Sequence, residues 1–125
     1  MSSTEPKLVQ CECINGILVA KIVVPQMRDA EVVNKIRDEL IAAIRQEKPK
    51  GIVLNLGELQ FVGSVGFLAF LSARREASVQ KIVLCHVQPN VREIFAICRL
   101  ISDSLTDQSP FYIQPDVPSA IATLR

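Results

Sequence analysis

Two short apolar runs place the strongest constraint on how this 125-residue chain can fold. IVLNL at 52–56 is rich in β-branched residues and apolar at both alternating sets of positions, and KIVLC at 81–85 is similar. Runs of this kind are typical of central strands that are covered on both faces. Around them, apolar residues recur at spacings of three and four, which indicates amphipathic helices. Because strands alternate with helices, we predict an α/β layer fold with largely parallel central strands.

Turn and capping residues predict the remaining elements. The runs at 8–14 and 17–24 flank Asn15-Gly16, a dipeptide typical of a type I′ turn, so a β-hairpin is expected to open the fold. The other expected elements are helices from Asp29 to about Glu47, from the GSVG turn to about Ser78, from Pro89 onwards and after Asp116, with a late edge strand at 110–113. We therefore predict a single domain over 1–125: a mixed central sheet with about four helices packed on it and a flexible tail at 1–7.

Composition and charge exclude several classes of function. Charged residues make up 22% of the chain and the net charge is +1 without a long run of one sign, so nucleic-acid binding is not expected. No apolar run approaches the roughly 20 residues that cross a bilayer, which argues against direct membrane insertion. The opening MSSTEPK does not resemble a signal peptide, so we expect the protein in the cytoplasm.

The four cysteines are expected to be reduced thiols. Cys11 and Cys13 are two apart on a strand and so point to the same face. A metal site is not expected, because there is no C-x2-C pair and His86 is the only histidine. We interpret all four as small apolar residues at buried positions: Cys11, Cys13, Cys85 and Cys98.

The stretch FVGSVGF contains the residues of most chemical interest, and two enzyme motifs fail there. A Walker-type phosphate loop needs G-x4-G-K-[ST], but five residues separate Gly57 from Gly63 and no lysine precedes Ser64. A hydrolase elbow needs G-x-S-x-G, and Val62 stands where its first glycine belongs. A nucleophilic serine also needs a base and an orienting acid around it, so no catalytic residue and no cofactor are expected.

Two interpretations of Ser64 remain open from the residues alone. A serine at a helix N-cap stabilises the helix by about 1 kcal/mol, and this would be a purely structural role. The following helix is expected to direct Phe67, Phe70 and Leu71 to the sheet. The opposite face is then small or polar, formed by Val65, Ala69, Ser72, Ala73 and Glu76. An exposed serine beside such a face suits the close approach of another protein, while ordinary solvent-facing helix is the alternative.

The whole arrangement resembles the STAS domain, in particular the bacterial anti-sigma factor antagonists. The resemblance covers 8–125 and rests on the opening hairpin, the amphipathic helix, IVLNLGELQFVGSVGFLAFL and VQPNVREIFAICRL. In that family a strand ending in Asp-Leu leads to a turn Asp-Ser-Ser/Ala-Gly-Leu-Gly, whose first serine is phosphorylated. By position, Ser64 matches that serine and Gly66 the glycine after it. The departures are Asn55 for the strand aspartate, Gly63 for the turn aspartate, Val65 for the second serine and Leu68 for the second glycine.

The resemblance implies a regulatory protein that binds an anti-sigma factor with serine kinase activity and is released when Ser64 is phosphorylated. The residues implied in partner binding are Gly63, Ser64, Val65, Gly66, Leu68, Ala69 and Ser72. The two missing aspartates favour an alternative, a non-phosphorylated STAS adaptor subunit of a signalling or transporter complex. A small-ligand module is a third alternative, since some relatives are reported to bind nucleotides or lipids. The oligomeric state is open, with a homodimer among the alternatives.

Overall fold

The computed structural model describes residues 7–77, 81–97, 101–102 and 111–124. Strands and helices alternate along these residues as the apolar spacing predicts. The strands are β1 (Val9–Ile14), β2 (Ile17–Ile22), β3 (Gln26–Met27), β4 (Gly51–Asn55), β5 (Phe61–Val62), β6 (Ile82–Cys85), β7 (Ile101–Ser102) and β8 (Phe111–Gln114). The helices are α1 (Ala30–Glu47), α2 (Ser64–Ala77), α3 (Pro89–Ile97) and α4 (Val117–Leu124).

Six of the strands form one mixed sheet in the order β1-β2-β4-β6-β8-β7. β1 pairs antiparallel with β2, and every other pairing in this sheet is parallel. At the hairpin turn, Asn15 and Gly16 have φ values of 52° and 81°, the two positive values that a type I′ turn requires. The predicted α/β fold, with a mixed sheet opened by a hairpin and four helices packed on it, is confirmed.

The sheet is covered on both faces, which explains why its central strands are apolar throughout. On one face, α1, α2 and α3 bury the larger core, and at its centre the rings of Phe67, Phe70, Phe95 and Phe111 pack together, with the centroids of Phe67 and Phe95 4.8 Å apart. On the other face, α4 covers a smaller cluster around Val53, Val83 and Ala120. Adjacent positions of β4 therefore face two different apolar layers.

The structure corrects the predicted position of the last strand. β8 was expected at the edge of the sheet, but β7 pairs with it through Ile101 and Phe111, so β8 is an inner strand. The two-residue β7 is too short to give a periodic signal in the sequence. The same is true of β3 and β5, which pair with each other in a separate parallel sheet. The predicted tail up to residue 6, the helix end at Ser78 and the position of Cys98 lie outside the described residues.

The cysteine predictions hold only in part. Cys85 is buried on β6, and burial raises the pKa of its thiol to about 11. Cys11 and Cys13 are exposed, so the prediction that they are buried is wrong. Both lie on β1, the edge strand, and face a cavity of about 500 Å³ between β1 and α1. This cavity leaves both thiols accessible at the edge of the sheet.

Glu39 of α1 reaches the start of the edge strand. Its carboxylate accepts hydrogen bonds from the backbone N–H of Leu8, at 3.0 Å, and of Val9, at 2.9 Å. This contact ties the end of the hairpin to the helix that follows it. Of the helices in the described part of the chain, none combines the length and apolar character needed to span a membrane.

Candidate functional site

Ser64 is the first residue of α2 and its side chain is exposed. This is the position at the amino end of the middle helix that the sequence predicts. The capping interpretation is not supported, because the helix begins with Ser64 itself and its hydroxyl forms no hydrogen bond with a described residue. The first turn is closed by the backbone instead, where the N–H of Gly66 donates to the carbonyl of Gly63 at 2.9 Å.

The two-stranded sheet of β3 and β5, the small sheet, holds the turn that leads into α2. Met27 pairs with Val62 in the parallel register of β3 and β5, and the N–H of Gly63 donates to the carbonyl of Met27 at 2.9 Å. The backbone N–H groups of Gln60 and Phe61 both donate to the carbonyl of Pro25, at 2.7 and 3.1 Å. Ser64 is therefore presented from a turn whose backbone is anchored on both sides of β5.

Asn55 supports the loop between β4 and β5 through its side chain. Its Oδ1 accepts a hydrogen bond from the N–H of Gly57 at 3.0 Å, and the carbonyl of Gly57 accepts another from Nε2 of Gln88 at 2.9 Å. Nδ2 of Asn90 donates to the carbonyl of Gln60 in the same loop. An amide oxygen serves as acceptor here as a carboxylate would, so the aspartate-to-asparagine departure keeps the loop contact and removes the charge.

The two glycines that flank Ser64 and Val65 meet different surroundings. A Cβ at Gly66 would lie 2.6 Å from Cγ1 of Val62 and 3.2 Å from Cβ of Met27, so a larger residue here requires the neighbouring side chain of Val62 to shift. A Cβ at Gly63 would meet nothing closer than 3.6 Å, which is an ordinary van der Waals contact. The α2 helix thus packs on the small sheet through Gly66, while Gly63 has room for a side chain.

The predicted partner-binding residues divide into an exposed group and a buried group. Ser64, Val65 and Leu68 are exposed, and Gly63 and Ser72 are half-buried. Gly66 and Ala69 are buried, as is Ala73, which the sequence had placed on the same open face. Ala69 lies where α1 and α2 pack together and Gly66 packs on the small sheet, so these buried positions expose little surface to a partner. Between the two helices remains a cavity of about 100 Å³, lined by residues that include Ala30, Asn34, Arg37, Leu68 and Ser72.

Exposed apolar residues lie close to Ser64 in the sequence. Within the described part of the chain, four large apolar residues are exposed: Phe61 (36%), Val65 (37%), Leu68 (62%) and Ile97 (73%). The first three lie within four residues of Ser64, and we refer to Phe61, Val65 and Leu68 as the apolar patch. Patches of this kind are typical of surfaces that contact another protein.

Arg28 places a positive charge near the turn. The guanidinium of Arg28 lies 5.1 Å from the centroid of the Phe61 ring, a cation–π arrangement, and the first turn of α2 contains no acidic residue. The neighbouring Asp29 caps α1, and its Oδ1 accepts a hydrogen bond from the N–H of Glu31 at 2.8 Å. Sequence reasoning missed both Arg28 and Phe61, because the pairing of β3 with β5 that brings them together has no local signal.

His86 belongs to a different part of the molecule. It follows β6 with a positive φ of 54°, and its backbone N–H donates to the carbonyl of Pro115. Hydrogen bonds from the backbone and side chain of Ser119 lower the pKa of the Asp116 carboxyl, and the charge of His86 adds to this effect. His86 and Arg92 line a cavity of about 450 Å³ at the carboxyl ends of β6 and β8. In the described ranges, no three His, Cys, Asp or Glu side chains are grouped to hold a metal ion.

The fold agrees with comparisons to known proteins. The model of the STAS domain matches residues 9–112, so the chain belongs to the STAS domain family. It is 34% identical over 95 residues to "Putative anti-sigma factor antagonist BtrV" of Bordetella bronchiseptica. The match covers 71% of this chain and 76% of that protein.

Solved structures share the fold at lower identity. SpoIIAA of Bacillus is an anti-sigma factor antagonist whose structure is known unphosphorylated and phosphorylated. Each of these two structures superposes on this chain with a TM-score of 0.64 at 22% identity. Each match covers 94% of this chain, with 97% of the unphosphorylated and 99% of the phosphorylated SpoIIAA chain. The murine anion transporter Slc26a9 contains the same fold, with a TM-score of 0.67, 18% identity and coverage of 89% of this chain and 18% of the transporter. The fold alone therefore does not decide between regulation and a role in a larger assembly.

Proposed function

We propose that this protein is an anti-sigma factor antagonist, which binds an anti-sigma factor with serine kinase activity and is released when Ser64 is phosphorylated. The similarity to BtrV supports the class of function. In this proposal the unmodified protein sequesters the anti-sigma factor, so that sigma factor becomes available for transcription. The contact surface is the start of α2, with Ser64 at its centre and the exposed residues Val65 and Leu68 beside it.

The observation that carries the proposal is the unused hydroxyl of Ser64. An exposed serine at the first position of a helix is usually explained by capping, but the Ser64 hydroxyl forms no hydrogen bond among the described residues. Local stability therefore does not explain why a serine stands here. A role in which the hydroxyl meets another protein accounts for both its exposure and its place within the apolar patch.

Electrostatics explain how such a modification can act as a switch without unfolding the domain. A phosphoserine carries a charge of about −1.5 to −2, and the N-terminus of a helix favours an anion through its free N–H groups and its dipole. The same charge opposes an apolar or acidic partner surface through desolvation and repulsion. Because only differential affinity shifts a binding equilibrium, the phosphorylated and unmodified forms must differ in affinity for the anti-sigma factor.

The alternative function, an adaptor that is not phosphorylated, also has specific support. Gly63 and Asn55 replace the two aspartates of the family turn, and an adaptor needs only the fold and not the chemistry. The packing does not enforce the absence of a carboxylate at position 63, since a Cβ there would meet nothing closer than 3.6 Å. If a carboxylate assists the kinase, Gly63→Asp is expected to speed phosphorylation while leaving the fold intact.

Intact-mass analysis after incubation with the host's anti-sigma factor kinase and Mg-ATP tests the proposal. We expect a single added phosphate on the wild-type protein and on the Ser72→Ala variant, and none on Ser64→Ala. Ser72 is a matched control because it lies on the same helix and is half-buried. No mass increase with any anti-sigma factor kinase of the host would remove the switch and favour the adaptor.

A further inference from the structure

The small sheet places Arg28 and Phe61 directly beside the turn that presents Ser64. Met27 pairs with Val62, so positions 28 and 63 are next in the same parallel register. A Cβ at Gly63 would lie 3.7 Å from Cε2 of Phe61 and 3.8 Å from Cα of Arg28. Arg28, Phe61 and the start of α2 therefore form one continuous surface, although β3 and β5 are far apart in the sequence.

Arg28 differs from Arg37 and Arg45, which both form ion pairs with carboxylates. Arg37 pairs with Asp38 at 3.2 Å and Arg45 with Glu76 at 2.7 Å. Among the described residues Arg28 forms no ion pair, and its guanidinium lies over the face of the Phe61 ring. A guanidinium that stacks on a ring keeps the N–H groups along its edge directed outward, in the fork that matches a carboxylate.

The residues around this pair determine what chemistry it suits. Phe61, Val65 and Leu68 supply exposed apolar area, and the first turn of α2 has no acidic side chain. The carboxylate of Asp29, next to Arg28 in the chain, accepts a hydrogen bond at the start of α1. The complement of such a surface is a segment with apolar side chains next to a carboxylate, since charges across an interface are arranged to be complementary.

We propose that Arg28 and Phe61 form a second half of the partner-binding surface, where Arg28 binds a carboxylate side chain of the partner while the apolar patch packs against its apolar neighbours. The identification of that partner as an anti-sigma factor rests on the proposed function. Arginine and aromatic residues are enriched among the interface residues that contribute most to affinity. The absence of an aspartate at position 63 then has a direct consequence, because no carboxylate of this chain's own turn competes for Arg28.

Affinity measurements with a purified anti-sigma factor kinase of the host test this inference. We expect Arg28→Glu to weaken binding by about 30-fold or more and Arg28→Lys to weaken it less, because lysine keeps the charge but loses the bidentate fork. Lys50→Glu is the matched control. Lys50 is exposed at the opposite end of β4, beside the Asn15-Gly16 turn, so the same charge change there is expected to alter affinity less than about twofold.

A double-mutant cycle within this chain makes the test specific for the carboxylate. Gly63→Asp is expected to weaken binding of the unphosphorylated protein, and this effect is expected to disappear in the Arg28→Ala background. Unchanged melting temperatures of the variants show that the fold is intact. If the wild-type protein binds the kinase and Arg28→Glu changes the affinity by less than twofold, the inference is overturned and the proposed function still stands. A wild-type protein that binds no anti-sigma factor kinase of the host overturns both.

Discussion

The amino ends of α1 and α4 are built differently from the amino end of α2. Asp29 caps α1 through the N–H of Glu31, and Asp116 caps α4 through the N–H of Ser119, each at 2.8 Å. At the start of α2, no described side chain accepts a hydrogen bond from the first N–H groups, and Ser64 points outward.

The difference shows two ways of fixing where a helix begins. A carboxylate cap accepts hydrogen bonds from the free N–H groups and offsets the positive end of the helix dipole, as it does at the amino ends of α1 and α4. The start of α2 is fixed instead by packing, because Gly66 lets the first turn approach Val62 and Met27 of the small sheet. A helix held this way keeps its first N–H groups and its first side chain available to another molecule, which is what a modified or partner-binding serine requires.

The largest expected effect comes from disturbing this packing. Gly66→Ala places a Cβ 2.6 Å from Cγ1 of Val62, and we expect a loss of unfolding free energy of about 2 kcal/mol, despite the better helix propensity of alanine. Gly63→Ala is the control, with an expected change below about 0.5 kcal/mol because its Cβ makes ordinary contacts. Urea unfolding of the two variants measures the difference. Equal stabilities would show that close packing at Gly66 does not hold the start of α2.

A smaller effect separates the capped helix from the uncapped one. Asp29→Ala removes the acceptor for the N–H of Glu31, so we expect it to lower the unfolding free energy by about 1 kcal/mol. Ser64→Ala removes no hydrogen bond to a described residue, and we expect a change of at most a few tenths of a kcal/mol. Thermal or urea unfolding compares the variants. A loss at Ser64 as large as that at Asp29 would restore a capping role and weaken the proposal for the hydroxyl.

The smallest effect is the pH dependence of the α4 cap. The pKa of the Asp116 carboxyl lies below its ordinary value of 3.8, chiefly because the backbone and side chain of Ser119 donate hydrogen bonds to it. A carboxyl with a lowered folded-state pKa stabilises the fold above its ordinary pKa, and this contribution disappears as the pH falls through the folded-state value. We expect the stability difference between wild type and Asp116→Ala to be constant from about pH 5 to 7 and to shrink below about pH 4. A difference that does not change with pH would contradict the role of the ionised cap.

The fold could be predicted from the sequence wherever a pattern is long enough to repeat. The Asn15-Gly16 turn, the 18-residue α1 and the apolar central strands each have a signal of their own, and each lies where it was predicted. β3, β5 and β7 have two residues each, so no periodicity exists to find them. The inner position of β8 was missed for that reason, because it depends on a pairing with β7.

The site was predictable in its centre and not in its surroundings. The serine, the glycines and the helix start are local features, and they lie together as the GSVG sequence indicates. Ala69 and Ala73 were assigned to the open face because they are small, but small residues also allow two helices to approach closely, and burial against α1 decides between these roles. Arg28 and Phe61 are joined to the site only by the pairing of β3 with β5, a contact between distant parts of the chain.

The carboxylate of Glu39 has a consequence for how this protein behaves at high concentration. An open sheet edge is a template on which another chain can add a strand, and this is a common route to aggregation. By accepting hydrogen bonds from the N–H groups of Leu8 and Val9, Glu39 occupies donors at the first residue of β1 and just before it. An incoming strand would find fewer free donors at this end of the edge, which opposes the addition of a strand there.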